Sequence, residues 1–162
     1  MWWLVALVAA FVLTGWGCCS ARRVLYPERR HIPPPTPLPS YTAHRLTAPD
    51  GAVFDVWRLE SPSARARLLL CHGYYANRYQ VLDLAEGLRR RGYEVLLFEM
   101  RGHGSRPGPC TFGVREAEDA VAVLEWAKTA GGPPGLRPDR AGGGPPLPVG
   151  VLGLSMGGAV AC

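Results

Sequence analysis

The residues best spaced for chemistry lie in "PVGVLGLSMGGAVAC", residues 148–162. Gly153, Ser155 and Gly157 form a G-x-S-x-G pattern behind a short apolar run and ahead of a series of small residues. A serine on a cramped strand-to-helix turn lifts its hydroxyl clear of the backbone, where it can attack a carbonyl carbon. Glycines two before and two after let the strand and helix backbones pass closely. The oxyanion formed by that attack needs backbone donors. One is the N–H of Met156, at the head of the following helix, where the helix dipole favours negative charge. The other must come from a loop at the same rim. Tyr74 N–H, in "CHGYY", is the candidate, with Gly73 letting the backbone turn toward the site. The His72 side chain reads as a packing or hydrogen-bonding loop residue.

The pentapeptide alone is a weak signal in a chain with 20 glycines, and its strand and helix context is what strengthens it. Two other readings compete. One is a structural turn with an idle serine. The other is a nucleotide-binding turn, which wants glycine where Ser155 stands and an acidic residue about 20 positions further on.

A hydroxyl so placed requires a parallel sheet beneath it, and the chain supplies the elements. Tyr41 to Thr47 and Ala52 to Leu59 read as strands joined by the turn "APDG", an edge hairpin. "RARLLLCHG" is a short apolar run ended by glycine, as a strand buried on both faces should be. Arg78 to Arg91 has helical period, with Val81, Leu84, Ala85 and Leu88 on one stripe and Gly92 as its stop. "YEVLLFE" is a further buried strand, and "MRGHGSRPGPC" a loop. Val114 to Lys128 is a second helix, with Val114, Ala117, Val121 and Leu124 as its apolar face. Val149 to Leu154 is the last strand. Alternating strands and helices with apolar strands predict an α/β fold, a parallel sheet with helices on both faces. Its chemistry belongs outside the carboxyl ends of the strands, in the loops after Cys71, Glu99 and Leu154.

The chain begins differently. "MWWLVALVAAFVLTGWGCC" has no charged side chain, and Trp2, Trp3 and Trp16 lie near its ends. Roughly 20 apolar residues suffice to cross a bilayer as a helix. A cleaved signal peptide wants a basic start that is missing here, so residues 1–20 read as a retained transmembrane anchor. Arg22, Arg23, Arg29 and Arg30 follow, and the positive-inside rule would keep that side cytoplasmic, while the side of the membrane that the domain faces stays open. Residues 21–40, with "HIPPPTPLPS", read as an extended proline-rich stalk. Residues 41–162 make the domain, interrupted by a proline- and glycine-rich insertion at 129–148.

Composition excludes some functions. The net charge is +5, but the arginines are scattered or paired without interleaved aromatics, so no nucleic-acid surface is expected. Arg89, Arg90 and Arg91 fit the end of a helix. The five cysteines have no zinc-site spacing and are odd in number, and Cys71 reads as a small buried residue. No metal and no cofactor is implied.

Taken together, "LLLCHGYYANR", "GYEVLLFEMRGHGSRPGP", "EDAVAVLEWA" and "GVLGLSMGGAVA" resemble the α/β-hydrolase superfamily, in its serine aminopeptidase-like and membrane-anchored esterase-like branches. The resemblance spans roughly residues 41–162. It implies an α/β-hydrolase fold, a bacterial inner-membrane location, a serine hydrolase cleaving an ester, thioester or amide, and a small-molecule or lipid-like acyl substrate. It also implies a structural role for the loop of Arg101, Gly102, His103 and Gly104. Two departures stand out: Glu99, where the family more often has aspartate, and the inserted "AGGGPPLP". In this fold the triad runs serine, acid, histidine along the chain. Only Met156 to Cys162 follow Ser155. Asp83 and Asp119 sit on predicted helices, read as facing away from the strand ends. The expectation is therefore the N-terminal part of a hydrolase, truncated after the nucleophile turn and inactive by itself. The second functional reading is a non-catalytic, degenerate membrane-anchored fragment.

Overall fold

The computed structural model describes residues 2–28, 32–129 and 147–162. Most of the 129–148 insertion lies outside the described residues. The elements are α1 (Trp2–Leu25), β1 (Thr42–Thr47), β2 (Val53–Leu59), β3 (Ala66–Cys71), α2 (Leu82–Arg90), β4 (Tyr93–Phe98), α3 (Val114–Lys128), β5 (Val149–Gly153) and α4 (Met156–Ala161). A single 3-10 turn, Arg78–Val81, leads into α2, so the helix expected from Arg78 starts tighter than its period suggests. Asn77 caps that turn by accepting from the Tyr79 N–H at 3.0 Å.

One five-stranded sheet has the order β1-β2-β4-β3-β5. β3 pairs in parallel with β4 and with β5. β2 runs antiparallel to both β1 and β4, so four of the five strands share a direction. The expected edge hairpin and the parallel centre are both present. The carboxyl ends of β3, β4 and β5 therefore meet at one rim.

The alternation of side chains along β4 explains the two layers of helix. Val95 and Leu97 point to one face and pack with Val81, Leu82 and Ala85. Leu96 and Phe98 point to the other and pack with Ala120, Val123, Ala127 and Val160. Each valine, leucine or phenylalanine fully buried here contributes about 1.5–3 kcal/mol relative to exposure, and the alanines less.

The stripes differ from those expected. On α2, Leu82 is buried and Leu84 is exposed. On α3, Val114 and Val121 are exposed at 70% and 55%. Its buried face is instead Glu116, Asp119, Ala120, Val123 and Ala127. Two carboxylates on that face found cationic or hydroxyl partners, which outweighed the pull of two valines. Glu116 in the first turn of α3 and Lys128 in its last lie where the helix dipole favours their charges.

The arginines at the end of α2 behave as expected. Arg89 donates twice to Glu86, both at 2.7 Å, and Arg91 reaches the Gly87 carbonyl at 3.0 Å. At the opposite pole of the sheet from the candidate site, Arg58 and Arg67 both pair with the buried Glu94.

α1 is long and apolar enough over Val5–Leu25 to cross a membrane, and none of that span is buried. Signal sequences have the same character. The helix continues through Arg22 and Arg23 to Leu25. Residues 32–41 that follow it are neither helix nor strand.

Candidate active site

β5 ends at Gly153 and α4 begins at Met156, leaving Leu154 and Ser155 to make the turn. Ser155 has φ 54° and ψ −118° and is exposed. Non-glycine residues reach this left-handed region only under strain, on the order of 1–3 kcal/mol. The reason for the flanking glycines is visible in the packing. A Cβ on Gly153 would overlap the Gly157 carbonyl, and one on Gly157 would overlap the Cys71 carbonyl. Gly158 is different, since a Cβ there would meet only the Gly153 oxygen at an ordinary 3.6 Å. The turn is closed by Leu154 N–H to Cys71 O at 3.0 Å and by Gly157 N–H to Leu154 O at 2.9 Å.

The loop after β3 lies beside this turn. A Cβ at Gly73 would stand 3.6 Å from the Leu154 carbonyl. Gly73 N–H donates to Gln80 Oε1 at 2.7 Å, which fixes the loop from the α2 side. Tyr74 follows, and among the described residues its N–H donates no hydrogen bond. Met156 N–H is the first amide of α4, where a helix has no carbonyl of its own to offer.

His72 is fully buried and held at both nitrogens. Nδ1 lies 2.8 Å from Gly73 O, and Nε2 accepts from Met100 N–H at 3.1 Å. That pattern requires the neutral ring with the proton on Nδ1. Burial pushes its pKa down to about 4, partly offset by the bond to the Gly73 carbonyl. His72 thus ties the loop after β3 to the end of β4. His103 is also buried, with Nδ1 at 2.7 Å from Arg101 O. His44 is on β1, its ring against Trp126 and its Nε2 3.2 Å from Thr42 Oγ1. The contacts named for these three are all with residues other than Ser155, and His31 lies outside the described residues.

The loop after β4 is held by charge. Arg101 donates to Asp119 through Nε at 2.9 Å and Nη2 at 2.7 Å. It also donates to Asp50, in the hairpin turn, at 2.5 and 3.0 Å. Arg106 approaches the same Asp119 carboxylate at 2.9 Å. Asp119 therefore faces the loop at the strand ends, contrary to its expected outward orientation. Its two arginine partners drew it in. The hydrogen bonds from Arg101 hold the Asp50 carboxyl well below the usual range. Glu99 lies under Gly104, accepts from Ser105 N–H and Oγ at 2.7 and 2.6 Å, and meets Arg78 at 3.1 Å. Burial opposes its charge, but Arg78 and Ser105 prevail and keep its pKa lowered. Glu116 accepts from Thr111 N–H at 2.8 Å and Gly113 N–H at 2.9 Å, which sets the start of α3.

The sequence profile of the alpha/beta hydrolase family matches residues 68–162, more than half of the chain. The chain belongs to the alpha/beta hydrolase family. Its relatives include an uncharacterised protein of Mycobacterium tuberculosis, 31% identical over 98% of this chain and 53% of that protein. A second strain of the same organism has a counterpart at 30% identity. The chain spans about half the length of these curated relatives. Among solved structures, a Pyrococcus furiosus esterase aligns with a TM-score of 0.66 and 26% identity, over 86% of this chain and 50% of that one. An alpha-beta serine hydrolase homologue from Coxiella burnetii aligns at 0.58 and 20% identity, over 74% and 54%, and so speaks for the alpha/beta hydrolase fold alone.

The charged lattice of Asp50, Arg101, Arg106 and Asp119 escaped the sequence reading. Its signal was present: two carboxylates at helical spacing with Ala120 and Val123, and two arginines in a single loop. The cysteine reading agrees with the fold. Cys71 is fully buried, and burial alone raises its thiol to about 12.

Proposed function

We propose that this chain carries the nucleophile and oxyanion half of a serine hydrolase that cleaves an ester, thioester or amide through an acyl-enzyme. The observation that carries this reading is Ser155 at φ 54°, exposed, between two glycines that admit no Cβ. A turn with only a structural task would relax with glycine at that position. In the reaction, Ser155 Oγ gives its proton to a base and bonds to the acyl carbon. The carbonyl oxygen becomes an oxyanion held by the N–H groups of Tyr74 and Met156. The leaving group departs with a proton, and water then repeats the sequence to free the acid and restore the serine. The acid and histidine are supplied from outside the residues of this chain. Support comes from the engagement of the described histidines elsewhere and from the greater length of the relatives.

The test is to read the coding DNA past Cys162 and treat the full-length product with a fluorophosphonate. Covalent labelling that disappears in Ser155→Ala is the expected result. Labelling that survives the substitution overturns the assignment. A reading frame without a downstream acid and histidine favours the non-catalytic alternative.

A further inference from the structure

We propose that the rim bearing Ser155 rests on a lipid bilayer, and that its substrates are long-chain acyl esters drawn from that bilayer. The substrate half rests on the hydrolase reading above, while the docking half stands on the way α1 leaves the domain.

The last carbonyls of a helix lack intrahelical donors and need partners from elsewhere. At the end of α1 the candidate site's own loops provide them. Tyr74 Oη donates to Val24 O at 2.5 Å, and Cys110 N–H donates to Leu25 O at 2.6 Å. Pro27 is buried, its Cδ 3.4 Å from where a Cβ on Gly102 would stand. A little further on, Ile32 O accepts from Asn77 Nδ2 at 3.1 Å. Cys110 in turn sets its Sγ 3.5 Å from Sδ of Met156, the residue after the serine. The apolar helix is thus fastened to the loops around the serine, not to the opposite pole. A bilayer that holds α1 must lie on this side.

The surface around the attachment suits that neighbour. Tyr75 is 45% exposed, Phe112 47% and Val114 70%. Tyr75 and Phe112 are both held at left-handed φ, 62° and 52°, and both rings pack against Tyr74. Arg22 and Arg23 are exposed and make no ion pair among the described residues, which leaves them for lipid phosphates. Apolar rings flanked by cations are what an interfacial surface presents. The far pole has the polar turn Ser61–Arg65 instead. Six residues of β3 separate the two, roughly 20 Å of strand.

The full chain is reconstituted in vesicles of phosphatidylcholine and phosphatidylglycerol, with Cys18, Cys19 and Cys162 changed to serine. A bimane is attached at Phe112→Cys, Val114→Cys or Ser63→Cys, and doxyl-labelled lipids quench it. Positions 112 and 114 are expected to be quenched several-fold more than position 63. Equal quenching, or stronger quenching at 63, overturns the docking. Val114 and Ser63 are exposed, so these two variants keep the test sound if Phe112→Cys disturbs the loop. In the full-length product, fluorophosphonates with long alkyl chains should label Ser155 faster than short ones in vesicles. Equal rates overturn the substrate class. If no fluorophosphonate labels Ser155, the hydrolase reading fails, and quenching still decides the docking.

Discussion

The turn at Ser155 and the loop after β4 share one rim of the sheet, yet the first is shaped by missing side chains and the second by crowded charge. At the turn, carbonyls of Cys71 and Gly157 occupy the space where side chains of Gly157 and Gly153 would go. At the loop, two arginines and two aspartates, from three separate segments, lock Asp50, Arg101, Arg106 and Asp119 together. Backbone against backbone gives a fixed angle with little tolerance. A charged lattice gives attachment between distant segments, and its strength depends on every member being present.

The comparison predicts different failures. The largest is Asp119→Ala, which leaves Arg101 and Arg106 buried without their shared carboxylate. Loss of one partner from a buried pair costs about 3–5 kcal/mol, and urea unfolding should register a fall of that size. A small change would mean the lattice is not what holds the loop. Next comes Gly157→Ala, whose methyl must displace the end of β3. Overpacking of this kind costs about 1–3 kcal/mol and should also abolish fluorophosphonate labelling in the full-length product. Its neighbour sharpens the point. Gly158→Ala should leave labelling intact and hold stability level or raise it by up to about 1 kcal/mol, through helix propensity.

A gentler probe uses pH. His72 titrates near 4 in the fold, against an ordinary 6.5, so it stays neutral where the unfolded chain takes up a proton. Stability conferred by this group is full above the ordinary value, falls as pH drops through that window, and changes no further below the folded pKa. His72→Gln keeps an acceptor for Met100 N–H and removes the titration. The unfolding midpoint of the parent should fall between about pH 7 and pH 5 more than that of the variant. His44, also lowered by partial burial, contributes in the same direction in both proteins and cancels from the difference. Glu99 and Glu116 are held below their ordinary 4.5, so their contributions are lost in more acid solution, outside this window.

The same contrast explains what was legible in the sequence. Strands announce themselves through runs such as "LLLC" and "VLLF", and each was found with its ends within a residue or so. The turn at Ser155 was legible because steric demands are local, and glycine at a fixed offset satisfies them whatever lies elsewhere. The lattice was not. Asp119 meets Arg101 across 18 positions, and Arg101 meets Asp50 across 51. Reading α3 by hydrophobicity alone placed Leu124 correctly but put Val114 and Val121 inside and Asp119 outside, because a carboxylate counts as solvent-facing until its partner is known. The attachment of α1 was equally hidden. It runs through main-chain carbonyls of Val24 and Leu25, which carry no mark of residue type.

The left-handed backbone at Ser155 has a consequence for how this protein can change over generations. Ser155→Gly would relieve the strain and make the fold sturdier, by on the order of 1 kcal/mol. A single substitution toward greater robustness therefore lies open at this position. On the hydrolase reading proposed above, that step would silence the chemistry, and the need for the hydroxyl is what would hold the serine in place.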